Sequence, residues 1–293
     1  MKDFDIDRFR YDGENSFKIK KAPTKVDDLY EDDVHYEALL RQQASEIDSW
    51  QERMFSQNRY GLVAVFQALD AAGKDGTIKA VFTGTNPTGV RVSSFKRPSE
   101  KELEHDFLWR SWRELPERGM IGVFNRSYYE EVLVTKVHPE ILTESQRLPE
   151  KATDDLDKLF KHRYDAIRDM EKYLYRNGFS TVKFFLHISK KEQAERLISR
   201  IEDQEKNWKF EEGDVDEREH WDAYQDAYEA AVNETATENA PWYVIPADDK
   251  KNMRLLVGRI LIHELKKLPI TEPQPDDERF AELQKLISVI EGQ

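Results

Sequence analysis

The spacing of apolar positions changes period along the chain, and the changes mark out its elements. From about Asp32 to Gln57, Val34, Leu39, Ile47, Trp50 and Met54 recur at helical spacing and predict an amphipathic helix. Leu62 to Ala68 is then nearly continuous apolar sequence, as a buried strand would be, and four shorter apolar runs follow: Val90 to Phe95, Met120 to Phe124, Thr181 to Ile188 and Trp242 to Ile245. Polar stretches of helical character separate them. Parallel neighbours need such crossovers, so the pattern predicts an α/β fold with a parallel five-stranded sheet flanked by helices. Residues 1–59 read as an N-terminal arm, extended over the surface or partly mobile, leading into the first helix; residues 60–268 form the core. Residues 269–293 are a proline-rich linker, Pro269 to Pro275, and a final amphipathic helix from Asp277 to Ile290 that packs on the body or on a second subunit. No internal repeat is present.

The first strand runs into Leu69-Asp-Ala-Ala-Gly-Lys-Asp-Gly-Thr77, a loop of small residues ending in Gly-Lys at the start of a helix. Backbone N–H groups of such a loop point inward, the helix offers its positive end, and the lysine reaches the terminal phosphates, so the segment predicts a phosphate cradle. Ala71, Ala72, Gly73, Asp75, Gly76 and Thr77 are its candidate lining and Lys74 its candidate charge. Ala68 stands where the usual G-x-x-x-x-G-K-[ST] pattern has its first Gly, and Asp75 where it has the Mg²⁺-binding hydroxyl. A metal therefore needs another ligand, and the Asp70 carboxylate is the nearest candidate, for Mg²⁺ or alternatively Mn²⁺. A plain turn between a strand and a helix is the competing reading.

Charge narrows the partners. With 58 acidic and 45 basic side chains the net charge is −13, which repels nucleic acid and anionic membranes over most of the surface. A polyanionic ligand must meet a local basic track, and Arg91-Val-Ser-Ser-Phe-Lys-Arg97, with three cations and no acid, supplies one. The absence of cysteine excludes disulfides, thiolate zinc sites and cysteine nucleophiles. The seven histidines show no zinc-ligand spacing. With no apolar run of spanning length and no signal-like start, a cytoplasmic protein is expected.

Two further segments carry candidate chemistry. Ile121-Gly-Val-Phe-Asn-Arg-Ser127 is an apolar strand ending in polar groups, where nucleotide-binding sheets place a second metal or water ligand. Asn125 supplies an amide there, and Arg126 is placed either to stabilise a transferring phosphoryl group or only to pair with Glu130 or Glu131. Arg196 and Arg200 lie one turn apart on a predicted helix, hence on one face. They belong either to a lid over about residues 196–220, with Lys206, Trp208 and Lys209, or to a solvated face balanced by Glu195, Glu202, Asp203 and Glu205. Tyr128, Tyr129, Trp109 and Trp112 read as packing residues.

These blocks, with Asn86 to Val92, Ser94 to Ser99, Phe107-Leu-Trp-Arg110 and Ala240 to Ala247, resemble the second family of polyphosphate kinases from about Tyr60 to Leu268. The family's loop has Asp and Gly-Lys where Asp70 and Gly73-Lys74 stand, which accounts for the departures noted above. The resemblance implies a P-loop kinase fold with a helical lid and Mg²⁺-dependent phosphate transfer from inorganic polyphosphate to a nucleotide, without a covalent intermediate. By family position Arg126 and Arg200 would contact the transferring phosphate, with Arg200 to Phe210 in the lid; Asp70, Lys74 and Asn125 complete the candidate catalytic set, and Lys96, Arg97, Arg110, Lys206 and Lys209 are the candidate contacts to the phosphate chain. The family's second motif commonly reads Phe-Asp-Arg-Ser. Asn125 resembles the subgroup called class III, which is associated with both AMP and ADP as acceptors; a homo-oligomer, dimer or tetramer, is also expected. The rival functions are an ATP-dependent nucleoside monophosphate kinase and a non-catalytic nucleotide sensor.

Overall fold

A computed structural model describes residues 4–205, 207–272 and 276–292. Its sheet has six strands, β1 (Arg10–Tyr11), β2 (Gly61–Ala68), β3 (Val90–Ser94), β4 (Ile121–Asn125), β5 (Phe179–His187) and β6 (Trp242–Pro246), in the order β1-β6-β5-β2-β4-β3. Strands β2 to β6 are the five apolar runs of the sequence, and all their pairings are parallel. The sixth strand is an addition that hydrophobic patterning does not reveal. It is two residues of the N-terminal arm, half-buried, set antiparallel against Tyr243 and Trp242 at the sheet edge. The arm is fastened elsewhere too: Phe9, Phe17, Ile19 and Leu29 are buried, and the Phe17 and Leu29 N–H groups donate to the amide oxygens of Asn233 and Asn252.

Strand alternation divides the core between the two faces of the sheet. Leu62, Ala64 and Phe66 of β2 join Ile47 and Met54 of the first long helix, Asp33–Gln57, and Leu256 and Leu261 of the helix Lys250–Lys267. Val63 and Val65 join Phe124, Tyr128, Tyr129, Ile167 and Trp242 on the other face. Because β2 is central, Phe66 lies opposite both Asn125 on β4 and Phe184 on β5. The Gly-Lys loop therefore leaves the carboxyl edge of the sheet at its middle, between the ends of its two neighbours, where open α/β sheets bind ligands.

The final helix, Asp277–Glu291, forms as expected but does not pack on the body. None of its residues is buried, and Phe280, Leu283, Leu286, Ile287, Val289 and Ile290 are exposed. Pro273 to Pro275 of the linker lie outside the described residues. Among the described residues no helix is long and apolar enough to cross a membrane.

Candidate active site

The loop after β2 closes through the Ala72 N–H, which donates to Leu69 O at 3.2 Å, and passes through left-handed backbone at Ala71 (φ 62°) and Gly73 (φ 101°). Gly73 satisfies two demands at once: the positive φ, and a close approach in which a Cβ would stand 3.2 Å from the Met253 methyl. It precedes the helix Lys74–Phe82, whose first N–H groups have no helical acceptor and so face the mouth of the loop. Thr77 serves the loop from inside. Both its N–H and its hydroxyl donate to Gly73 O, at 3.0 and 2.9 Å.

Arg196 holds the back of this loop. Its Nε donates to Glu192 at 2.7 Å, Nη1 to the carbonyls of Ala71 (3.3 Å) and Ala72 (2.8 Å), and Nη2 to those of Ala247 (2.7 Å) and Asp248 (2.9 Å). Every N–H of the guanidinium is thereby used, and the side chain is buried. Its place on the helix Lys190–Glu202 is one turn from Arg200, but it points into the protein and ties the loop to the end of β6. Arg196→Lys keeps the charge and loses the planar fork, leaving buried carbonyls without donors. We expect it to lower stability by about 1–2 kcal/mol, read from denaturant midpoints.

Across the mouth of the loop the β4 end supplies its partners. Arg126, itself left-handed at φ 62°, donates from Nη2 to Asp70 Oδ1 at 2.9 Å and approaches Glu130 at 3.5 Å. Glu130 raises the guanidinium pKa most, Asp70 adds to this, and partial burial opposes both. Arg126 is thus ion-paired to Glu130, as one sequence reading has it, and also to Asp70 of the Gly-Lys loop. Asn125 Nδ2 donates to Asp75 Oδ1 at 2.6 Å, fixing the amide against the start of the helix. Burial and then the neighbouring Arg126 push the Lys74 ammonium below the ordinary lysine value. A bound phosphate would reverse that shift. Among the described residues no three His, Asp or Glu side chains gather as a metal cage. Carboxylates spaced around a phosphate loop fit Mg²⁺, which takes one or two of them together with phosphate oxygens and water.

The remaining wall of the site comes from the end of the helix Lys190–Glu202 and the residues after it. Arg200 Nη1 lies 3.1 Å from Asp214 Oδ2, on the short helix Gly213–Glu217. Asp214, with Asp70, Arg126 and Glu130, lines a cleft whose walls are Leu69, Leu133, Val134, Trp221, Tyr224 and Tyr228. Burial, then the charge of Asp70, push the Asp214 carboxyl up to about 6, against the pull of Arg200. Asp214 therefore contributes fully to the stability of the folded chain below the ordinary value of 3.8, and that contribution is lost as pH rises through about 6. Asp70→Asn is expected to move the Asp214 midpoint down, which a ¹³C carboxyl titration by NMR would read; an unmoved midpoint would remove Asp70 as a cause. Trp208 is 78% exposed. Lys206 and the side chain of Lys209 lie outside the described residues.

The β3 side carries the basic run. Lys96 and Arg97 are exposed just beyond β3. Arg110 is buried instead, donating to Lys96 O at 2.7 Å and lying 5.5 Å from the centre of the Phe95 ring, so it shapes the turn that displays them. Sequence reasoning missed Asp214 and the aromatic wall. Trp221, Tyr224 and Tyr228 do recur at i, i+3 and i+7, a helix-face signal that was legible but pointed only to packing.

A sequence profile of the family Polyphosphate kinase 2 (PPK2) matches residues 30–273. The chain is 49% identical over 277 residues to the ADP-polyphosphate phosphotransferase of Rhodopseudomonas palustris, covering 94% of this chain and 95% of that protein. It is 45% identical over 230 residues to the AMP/ADP-polyphosphate phosphotransferase of Meiothermus ruber, covering 78% and 81%. The crystal structure of Polyphosphate Kinase 2 from Arthrobacter aurescens TC1 superposes with a TM-score of 0.84 at 35% identity, over 96% of this chain and 95% of that one.

Proposed function

Because the chain belongs to the polyphosphate kinase 2 family, we propose that it moves the terminal phosphoryl group of inorganic polyphosphate to AMP and to ADP, forming ADP and ATP. The observation that carries this reading is the asymmetry around the phosphate loop. The cleft beside the loop has an apolar, aromatic wall suited to a nucleoside, and the exposed Lys96–Arg97 pair, beyond the edge strand β3 and outside that cleft's lining, suits a chain of phosphates. An oxygen of the acceptor phosphate attacks the terminal phosphorus of the donor, the bridging P–O bond breaks, and a polyphosphate shorter by one unit leaves. The attacking oxygen is already ionised, so the site needs position and positive charge rather than a base.

Placement supports a role for each residue in this reading. Lys74 and the first N–H groups of its helix hold the phosphate at the loop, Arg126 neutralises charge growing on the transferred group, and Arg200 does so from the lid once the phosphates draw it from Asp214. Asp70, with Asp75, would hold Mg²⁺, which would supply positive charge to offset that of the phosphates. Asn125 orients Asp75. The relatives named for ADP and for AMP/ADP support both acceptors. Self-association, which would cover the exposed face of the helix Asp277–Glu291, belongs to the same proposal.

The decisive experiment supplies AMP, Mg²⁺ and polyphosphate without ATP, with a chelator control, and separates the nucleotides. ADP and then ATP are the expected products. ADP formed only when ATP is added would make the protein an ordinary nucleoside monophosphate kinase, and binding without turnover would make it a sensor.

A further inference from the structure

Lys183 is a charged residue to which the chemistry above gives no task. It stands in the middle of β5, fully buried, and its ammonium donates to Glu171 Oε2 at 2.6 Å and to Thr235 O at 2.8 Å. Glu171, on the helix Leu156–Arg176, is as deeply buried. Its other oxygen accepts from the hydroxyls of both Tyr128 and Tyr129, each at 2.9 Å. The Tyr129 hydroxyl also lies 2.9 Å from Thr235 Oγ1, which accepts the Trp242 indole N–H at 2.9 Å. Apolar residues of similar volume commonly replace such a buried pair without loss of stability, so its presence asks for a reason other than stability.

What the cluster grips is the turn that carries Arg126. Tyr128 and Tyr129 follow Arg126 after one residue, and the helix they lead into, Glu130–Val137, begins with the carboxylate that pairs with Arg126. Arg126 is a non-glycine residue in left-handed backbone, a conformation that persists only where its surroundings impose it. Its N–H, bonded to Phe66 O at 3.0 Å, fixes one side of the turn. The tyrosine hydroxyls on Glu171 fix the other.

We propose that the buried Lys183–Glu171 pair, acting through the hydroxyls of Tyr128 and Tyr129, is a positioning device that holds the Arg126 turn so that its guanidinium overhangs the phosphate loop. The proposal rests on the assignment of Arg126 to the transferring phosphoryl group. It makes Glu171 and Lys183 positioning residues: they touch no substrate and act on the rate through Arg126.

A double-mutant cycle on the full chain tests it. Tyr128→Phe/Tyr129→Phe removes the two anchoring hydroxyls and leaves both rings in the core. We expect it to fold with an unchanged circular dichroism spectrum and to lose about tenfold in kcat, with KM for AMP and for polyphosphate held within about twofold. In an Arg126→Ala background the same pair should cost nothing further. Equal losses in both backgrounds would mean a merely structural role and overturn the proposal while leaving Arg126 in place. An unchanged kcat for Arg126→Ala alone would overturn the assignment of Arg126 and the proposal with it. Should the double variant fail to fold, Tyr128→Phe carries the same cycle. As a second measurement, Lys183→Met/Glu171→Gln keeps an oxygen for the two hydroxyls and should turn over several-fold faster than Lys183→Met/Glu171→Leu; equal rates would count against the device.

Discussion

Lys74→Ala is expected to lower turnover by at least about 10²-fold while the protein keeps its fold, as the loss of a positioned charge on a developing phosphate anion requires. The argument is one of divided labour around the loop. Its shape is held by groups other than Lys74: the Gly73 turn, the two Thr77 bonds to Gly73 O, and the Arg196 fork onto the carbonyls of Ala71 and Ala72. Lys74 sits half-buried at the helix start, where burial and Arg126 disfavour its charge while Glu130, Asp70 and Asp75 favour it. A cation kept at such a place without phosphate is destabilising there, and binding phosphate relieves the strain. Removing it should therefore leave the thermal midpoint unchanged or slightly raised, with kcat collapsed. Steady-state rates with a melting curve on the same preparation check both halves. Wild-type turnover in a folded Lys74→Ala protein would remove the loop from the chemistry.

The five long strands and the loop were legible in the sequence because their signals are local. A continuous apolar run such as Leu62 to Phe66 is buried on both faces, and Gly-Lys after such a run points to a cradle, whereas the edge strand β3 is mostly exposed and showed only through Val90 and Val92. The residues that escaped act through tertiary contact. Spacing put Arg196 and Arg200 on one face of a helix, which the structure bears out, but it is silent on what that face meets. For Arg196 the answer is four carbonyls from two other elements; for Arg200 it is Asp214, fourteen positions on. β1 escaped because two half-buried residues make no pattern. The Lys183–Glu171 pair left a clue: Lys183 interrupts the otherwise apolar stretch Val182 to Leu186, and a charge inside a buried strand must have a buried partner.

A second large effect is expected at the basic pair proposed for the donor. On a protein of net charge −13, a polyanion is held only where cations outnumber acids, and beyond β3 that place is the exposed pair Lys96 and Arg97. Their exposure weakens any ion pair each makes singly, yet a phosphate chain offers charge at every unit and releases counterions as it binds. The turn is also preset: Arg110, buried, donates to Lys96 O, and the Phe95 N–H donates to Asn125 O at 2.9 Å, so the pair is displayed from the edge strand beside the end of β4. Lys96→Ala/Arg97→Ala is accordingly expected to raise KM for polyphosphate roughly 30- to 100-fold, as two charge-assisted contacts would. KM for AMP should stay within about twofold, because the wall of Leu133, Trp221 and Tyr224 proposed for the nucleoside lines a cleft to which Lys96 and Arg97 do not contribute. The wild-type KM for polyphosphate should climb with salt, and the double variant should show a shallower slope, since fewer counterions leave on binding. Equal KM values and equal slopes in the two proteins would place the donor elsewhere, and a parallel rise in both KM values would mean that the substitutions disturb the loop rather than the track.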